Sequence, residues 1–244
     1  MESESYQNKY ILVSGASTRT GNAIAKYLLE RGANLFLNYR KDHQGVLSLM
    51  EQFPKSKVWS VQCDVSSSES VEGLVKQVSS ETDRLDGLIN TVGEYVELPV
   101  SDTSFDDWQR MIQNNLNSVF LMCKGFRSLM QNSQGGRIVN LGYSNADKLV
   151  VSRCAPYHIA KTGVIILSKT LAAEWASDRI TVNTISPGTL FNSVTKESQN
   201  PKDYIPAGRF GEYRDIWPIL DLLFRSDSDY LTGNNFILSG GYNI

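Results

Sequence analysis

Histidine is scarce in this chain of 244 residues: only His43 and His158 are present. That argues against a histidine-built metal site or a histidine-based triad. Cysteine is nearly as rare. Cys63, Cys123 and Cys154 are odd in number and lack ligand-like spacing, so they read as reduced thiols. No uninterrupted apolar run approaches the ~20 residues needed to span a bilayer. An excess of one charge is missing too. The 24 basic and 26 acidic side chains leave a net −2, which points to neither nucleic acid nor an anionic membrane. The first residues, MESESYQNKY, lack the basic stretch and apolar core of a signal peptide. These absences predict a cytoplasmic protein without nucleic-acid or membrane partners. Linkers, repeats and low-complexity tracts are also absent, so residues 1–244 read as one domain, with 1–8 expected to be flexible.

What is present is a regular alternation. Hydrophobic residues make up 41% of the chain, as in a globular protein with a sizeable core. Short β-branched or apolar runs, 10–13, 35–39, 58–63, 87–91, 137–141, 180–186 and 236–238, read as strands. Between them, 22–31, 46–53, 68–82, 105–130 and the stretch through 163–175 have helical spacing, and 105–130 is long enough for two helices. The pattern predicts an α/β, doubly wound Rossmann-type domain: a central, mostly parallel seven-stranded sheet with helices on both faces. The loop 190–209 is long, polar and broken by Pro201 and Pro206. It follows the sixth strand, where such folds carry ligands.

The chemistry centres on Tyr157-His158-Ile159-Ala160-Lys161. Tyr157 and Lys161 are four residues apart, which on a helix puts both side chains on one face. A phenol titrates near ~10, and a cation one turn away is expected to pull that value down. The pair thus reads as a tuned proton donor or acceptor for an alcohol or a carbonyl. Near the start, Ser14-Gly15-Ala16-Ser17-Thr18-Arg19-Thr20-Gly21 follows a strand and opens a helix. There, free amides and the helix N-terminus can hold a pyrophosphate. At the end of the second strand stand Tyr39, Arg40 and Lys41, where NAD-preferring proteins carry an acid. An arginine there can bind a 2′-phosphate through paired hydrogen bonds, which favours NADP(H). Asp42 remains a second candidate for a ribose contact.

The segment YHIAKTGVIILSKTLAAEWASDRITVNTISPG closely resembles the active-site helix and sixth strand of the short-chain dehydrogenase/reductase family. The resemblance spans about residues 9 to 241, and its overall texture is nearest the 3-oxoacyl-acyl-carrier-protein reductase group. It implies a proton-transferring Tyr157. Lys161 would tune that phenol and bind the nicotinamide ribose, and Asn115 would hold a water beside the lysine. It also implies a hydroxyl after the fifth strand that binds the substrate oxygen. Aligning GGRIVNLGYS by strand puts Tyr143 at that place; counting back the family's usual 13 residues from Tyr157 gives Ser144. Ser144 is the favoured candidate, with Tyr143 the alternative. Further family positions are Asp64 and Val65 beside the adenine, Asn90 and Gly93 after the fourth strand, and Pro187, Gly188 and Leu190 on the nicotinamide side. Asn192 stands where the family has a threonine. Gly15 and Gly21 match the first and third glycines of the first turn. Arg19 replaces the second, as in pteridine reductases, so Gly15, Ser17, Arg19, Thr20 and Gly21 are the candidate cradle.

The resemblance implies an NADPH-dependent reductase acting on a ketone or 3-oxoacyl carbonyl, or alternatively on a pterin-like C=N bond. The altered positions Arg19, Thr91, Val92 and Tyr143 leave a second class open, a catalytically weak dinucleotide-binding regulatory member. Asn115, Tyr157 and Lys161 argue against it. Family members assemble as dimers or tetramers through the helices holding Asn115 and Tyr157 and through the C-terminal segment. A homo-oligomer, and a homotetramer in particular, is therefore expected, with Phe236–Leu238 and Tyr242–Ile244 suited to burial at such a contact.

Overall fold

The computed structural model describes residues 6–17, 19–133, 135–148, 153–191 and 200–242. Seven strands form one sheet: β1 (Tyr10–Ser14), β2 (Asn34–Tyr39), β3 (Val58–Gln62), β4 (Gly87–Asn90), β5 (Arg137–Leu141), β6 (Thr181–Pro187) and β7 (Asn235–Leu238). Their order is β3-β2-β1-β4-β5-β6-β7. All six pairings are parallel, so the sheet is wholly rather than mostly so. The order reverses between β1 and β4, which opens a crevice at the C-terminal ends of those strands.

The near-continuous apolar runs of β1, β2 and β4 suit strands covered on both sides. Successive residues point to opposite faces. On one face Leu12, Phe36, Leu88, Ile138 and Val182 pack under α3 (Ser68–Glu81), α5 (Ser118–Gln131) and α6 (Ala155–Trp175). On the other, Ile11, Val13, Leu35, Ile89 and Ile185 pack under α1 (Arg19–Leu29), α2 (Gln44–Gln52) and α7 (Trp217–Phe224). Tyr6, inside the stretch read as a flexible lead, is buried, and its hydroxyl donates to Asp221 Oδ1 at 2.9 Å.

Two elements differ from the sequence reading. Helix α7 was not foreseen, because WPILDLLF is short and carries a proline. Pro218 sits in the first turn, where its missing N–H breaks no helical bond, and Leu220, Leu223 and Phe224 are buried beneath it. The stretch 105–130 does divide in two, as α4 (Phe105–Ile112) and α5, but the joint is a π turn at Gln113–Asn117. A π turn slips the backbone pairing by one residue and commonly marks a functional site.

Candidate active site

The first turn is built by close approach of backbone. Gly15 has φ +67°, in the left-handed region that glycine adopts freely. Its N–H donates to Asn38 Oδ1 at 3.3 Å, and the Ala16 N–H donates to the Asn38 carbonyl at 2.8 Å. Gly21, at the start of α1, has no room for a side chain. A Cβ there would lie 2.2 Å from the Gly15 carbonyl oxygen and 2.6 Å from Thr91 Oγ1. Arg19 also has a positive φ, +50°, strained for a residue with a Cβ. Its exposed side chain lies at the cleft with Thr20. Ser17 Oγ donates instead to the Asp42 carbonyl, which ties the β2–α2 loop to the turn.

The cleft runs over the C-terminal ends of the strands in two joined cavities. One, of about 360 Å³, includes Arg19, Gly21, Tyr157, Lys161, Pro187 and Leu190 in its wall. The other, of about 280 Å³, includes Asn38, Arg40, Asp64, Val65 and Ser66. Gly15, Val92, Gly93 and Glu94 border both. Arg40 is half-exposed, 3.7 Å from Asp64. Burial pushes the Asp64 carboxyl up, but hydrogen bonds from Ser66 and the nearby Arg40 and Lys41 outweigh it and hold the pKa below its ordinary value. Asp42 is otherwise engaged: its Oδ1 accepts the Gln44 N–H at 2.9 Å. Tyr39 packs its ring on His43, with ring centres 5.7 Å apart, and is not among the residues lining these two cavities.

At the other end, Tyr157 and Lys161 share one face of α6, as the spacing required. Lys161 is buried, and its Nζ donates to the Leu141 carbonyl at 2.8 Å. Burial pushes the ammonium down from 10.5 to about 8. Burial also pushes the Tyr157 phenol up, with Tyr143, Cys154 and Tyr95 adding to the effect. The expected lowering of Tyr157 by Lys161 is therefore not what this geometry produces. Nζ lies 5.8 Å from the phenol ring centre, and loss of water favours the neutral form of both groups.

The π turn presents Asn115 to this pair. Asn115 is fully buried, and its Nδ2 donates to the Glu94 carbonyl at 2.9 Å. It also donates at 3.0 Å to the Met111 carbonyl, which a regular helix would pair with a backbone N–H. Its Oδ1 is buried without a partner. A Cβ at Gly93 would lie 2.7 Å from that oxygen and 3.2 Å from Lys161 Nζ, so the absent side chain keeps the three groups together. Glu94 opens the loop 94–101, which the sequence points to as pocket-setting without giving this residue a role; its carboxylate accepts from Arg110 Nε at 3.0 Å and Asn114 Nδ2 at 2.8 Å and so clamps the β4 loop to the π turn. Nothing in the sequence pairs these residues.

Besides Tyr39, four expected site residues sit elsewhere. Asn90 is buried away from the cleft, and its Nδ2 donates to Asn140 Oδ1 at 2.8 Å as a strut between β4 and β5. Gly188 faces β7, where a Cβ would meet Ser239 Cα at 3.1 Å. Ser144 is 2% exposed, and its N–H continues the β5–β6 pairing to the Pro187 carbonyl at 3.2 Å. It is Tyr143 that meets Tyr157, ring to ring at 5.5 Å. Tyr143 is the position that the strand alignment gives. The fourth is Ser17, noted above. Asn192 and the rest of residues 192–199 in the loop 190–209 lie outside the described residues.

Comparison with known proteins follows the same lines. A family model described as enoyl-(acyl carrier protein) reductase matches residues 15–243. An NAD-dependent glycerol dehydrogenase from Listeria innocua is 29% identical, over 97% of this chain and 94% of its own. A 3-oxoacyl-acyl-carrier-protein reductase from Vibrio harveyi is 30% identical, over 96% and 97%. Among solved structures, a short-chain type dehydrogenase/reductase from Mycobacterium marinum superposes with a TM-score of 0.88 at 26% identity, covering 98% of this chain and 97% of that one.

Proposed function

The chain belongs to the short-chain dehydrogenase/reductase family, whose members are oxidoreductases that bind a nicotinamide dinucleotide, and we propose that it is an NADPH-dependent reductase of a small carbonyl compound. The observation that carries the reading is the placement of Tyr157 and Lys161 side by side on a cleft that glycines hold open. The residues fit the cofactor. At Gly21 and Gly93 a Cβ would close the groove against Gly15 and Asn115, and the unpartnered Asn115 Oδ1 leaves an acceptor beside Lys161.

Gly15, Arg19, Thr20 and Gly21 would hold the pyrophosphate at the N-terminus of α1. Asp64 and Val65 would border the adenine, Lys161 the nicotinamide ribose, and Pro187 and Leu190 the nicotinamide side. The bound dinucleotide supplies the hydride. Tyr157 supplies the proton that turns the substrate C=O into CH–OH. Burial suits this role, because a phenol pushed up in pKa stays protonated and able to donate. Lys161 holds its position through the Leu141 carbonyl, and Asn115 offers Oδ1 for a water at the lysine. Tyr143 takes the place of the second hydroxyl on the substrate oxygen.

Arg40 favours a 2′-phosphate, since Asp42 is occupied at the start of α2 and Arg40 borders the adenine-side cavity. A homo-oligomer is part of the proposal. Phe120 on α5 and Ile159 and Ile166 on α6 are exposed, which suits a contact with a second copy of the chain. Sedimentation at micromolar concentration should show a dimer or tetramer. The decisive assay is NADPH oxidation against ketones, 3-oxoacyl thioesters and dihydropterins. Turnover is expected with ketone or 3-oxoacyl carbonyls, and Tyr157→Phe should abolish it while retaining NADPH binding. NADPH binding without turnover of any of them would instead favour the regulatory reading.

A further inference from the structure

Tyr157 has two tyrosine rings packed against its own. Tyr95, in the loop after β4, meets Tyr157 edge-on, with ring centres 5.1 Å apart and planes at 89°. Tyr143 meets it from the end of β5 at 5.5 Å and 61°, and packs against His158 as well. Tyr95 borders the same cavity as Tyr157 and is 56% exposed, so part of its surface is free to meet a ligand. Its hydroxyl donates to Glu97 Oε2 at 3.2 Å, which ties the ring to an exposed carboxylate. That carboxylate also bears on Tyr143: burial is the main cause that raises the Tyr143 phenol, and Cys154, Tyr242 and Glu97 add to it.

Resting on the carbonyl-reductase reading, we infer that the substrate side of the cleft is an aromatic slot for a flat, uncharged carbonyl compound, with Tyr95 as its wall, Tyr143 backing the Tyr157 ring and Glu97 turning anions away. Rings offer a conjugated substrate face and edge contacts that a flexible aliphatic chain cannot return. Such pairs contribute ~0.5–1.5 kcal/mol beyond their buried area. The Glu97 carboxylate beside the Tyr95 ring repels a second negative charge that comes close. The balance of the step is unchanged: the carbonyl carbon takes hydride from the reduced nicotinamide, the oxygen takes the Tyr157 proton, and the nicotinamide is oxidised.

The test compares three carbonyls with NADPH. Isatin is flat and uncharged, isatin-5-sulfonate is flat and anionic, and ethyl acetoacetate is uncharged and aliphatic. The expected kcat/KM for isatin exceeds that for each of the others by at least tenfold. Tyr95→Leu, which keeps bulk but removes the ring, should shrink the isatin-to-acetoacetate ratio at least fivefold, mainly through KM for isatin. Glu97→Gln should raise kcat/KM for the sulfonate selectively. NADPH titration of each variant separates these effects from misfolding. Equal turnover of isatin and ethyl acetoacetate, or a Tyr95→Leu loss shared equally by both, would overturn the slot and leave the reductase reading intact. Absence of turnover on every carbonyl would remove both.

Discussion

Lys161 offers a direct test of how burial sets the electrostatics of the site. Its ammonium falls from 10.5 to about 8, with burial as the cause. A difference of that size between unfolded and folded chains is worth on the order of 3 kcal/mol. The sign follows from proton counting. Between about pH 8 and pH 10.5 the unfolded chain binds the proton and the folded one does not, so wild-type stability rises with pH across that window. Below about pH 8 the folded protein carries the full burden of a buried charge. Lys161→Met removes the titration but leaves the Leu141 carbonyl without its donor, which itself costs ~1–3 kcal/mol. At neutral pH the two effects partly cancel, so the absolute stability of the variant says little. The pH dependence does not cancel. Urea unfolding of both proteins from pH 7 to pH 10.5 should show wild type gaining up to ~3 kcal/mol on Lys161→Met as pH rises. A flat difference would refute the burial argument. A difference of opposite sign would show that Lys161 is stabilised as a cation, as the spacing of Tyr157 and Lys161 alone suggested.

Other expectations test different parts of the cleft. NADPH should bind at least tenfold more tightly than NADH, a gap of ~1.4 kcal/mol, and Arg40→Ala should shrink it; equal affinities in wild type by titration would sink the assignment. Gly21→Ala drives a methyl to within 2.2 Å of the Gly15 carbonyl oxygen, so a loss of ~2 kcal/mol or more and loss of dinucleotide binding are expected in denaturation and titration experiments. Gly73→Ala on α3 meets nothing within 4 Å and should instead stabilise by ~0.5–1 kcal/mol, serving as the control. Tyr143→Phe should lower kcat by ~10² on a carbonyl substrate while Ser144→Ala stays near wild type. The reverse result would show that the count from Tyr157, and not the register of β5, locates the second hydroxyl.

Much of this protein was legible in its sequence because the relevant rules are local. Strand and helix periods, the glycine-bearing turn after β1 and the four-residue spacing of Tyr157 and Lys161 depend on neighbours along the chain, and each appears where its pattern placed it. The parallel sheet follows from the alternation of those periods. What the sequence could not show depends on groups that meet only after folding. Helix α7 forms because its apolar face is covered by the sheet and α1, which overrides a short, proline-bearing sequence. The π turn at Gln113–Asn117 gains its meaning from the Glu94 loop that Asn115 and Asn114 reach across space. Asn90 reads as a ligand contact in sequence, yet its amide is taken by Asn140 on the next strand. Tyr143 meets the Tyr157 ring just past the end of β5, a placement that follows from the strand's pairing with β6, and counting along the chain carries no information about that pairing. The protonation of Tyr157 and Lys161 is the sharpest case. Sequence spacing brings a phenol and an ammonium together, but only the packed interior removes the water around them, and that loss drives both toward their neutral forms.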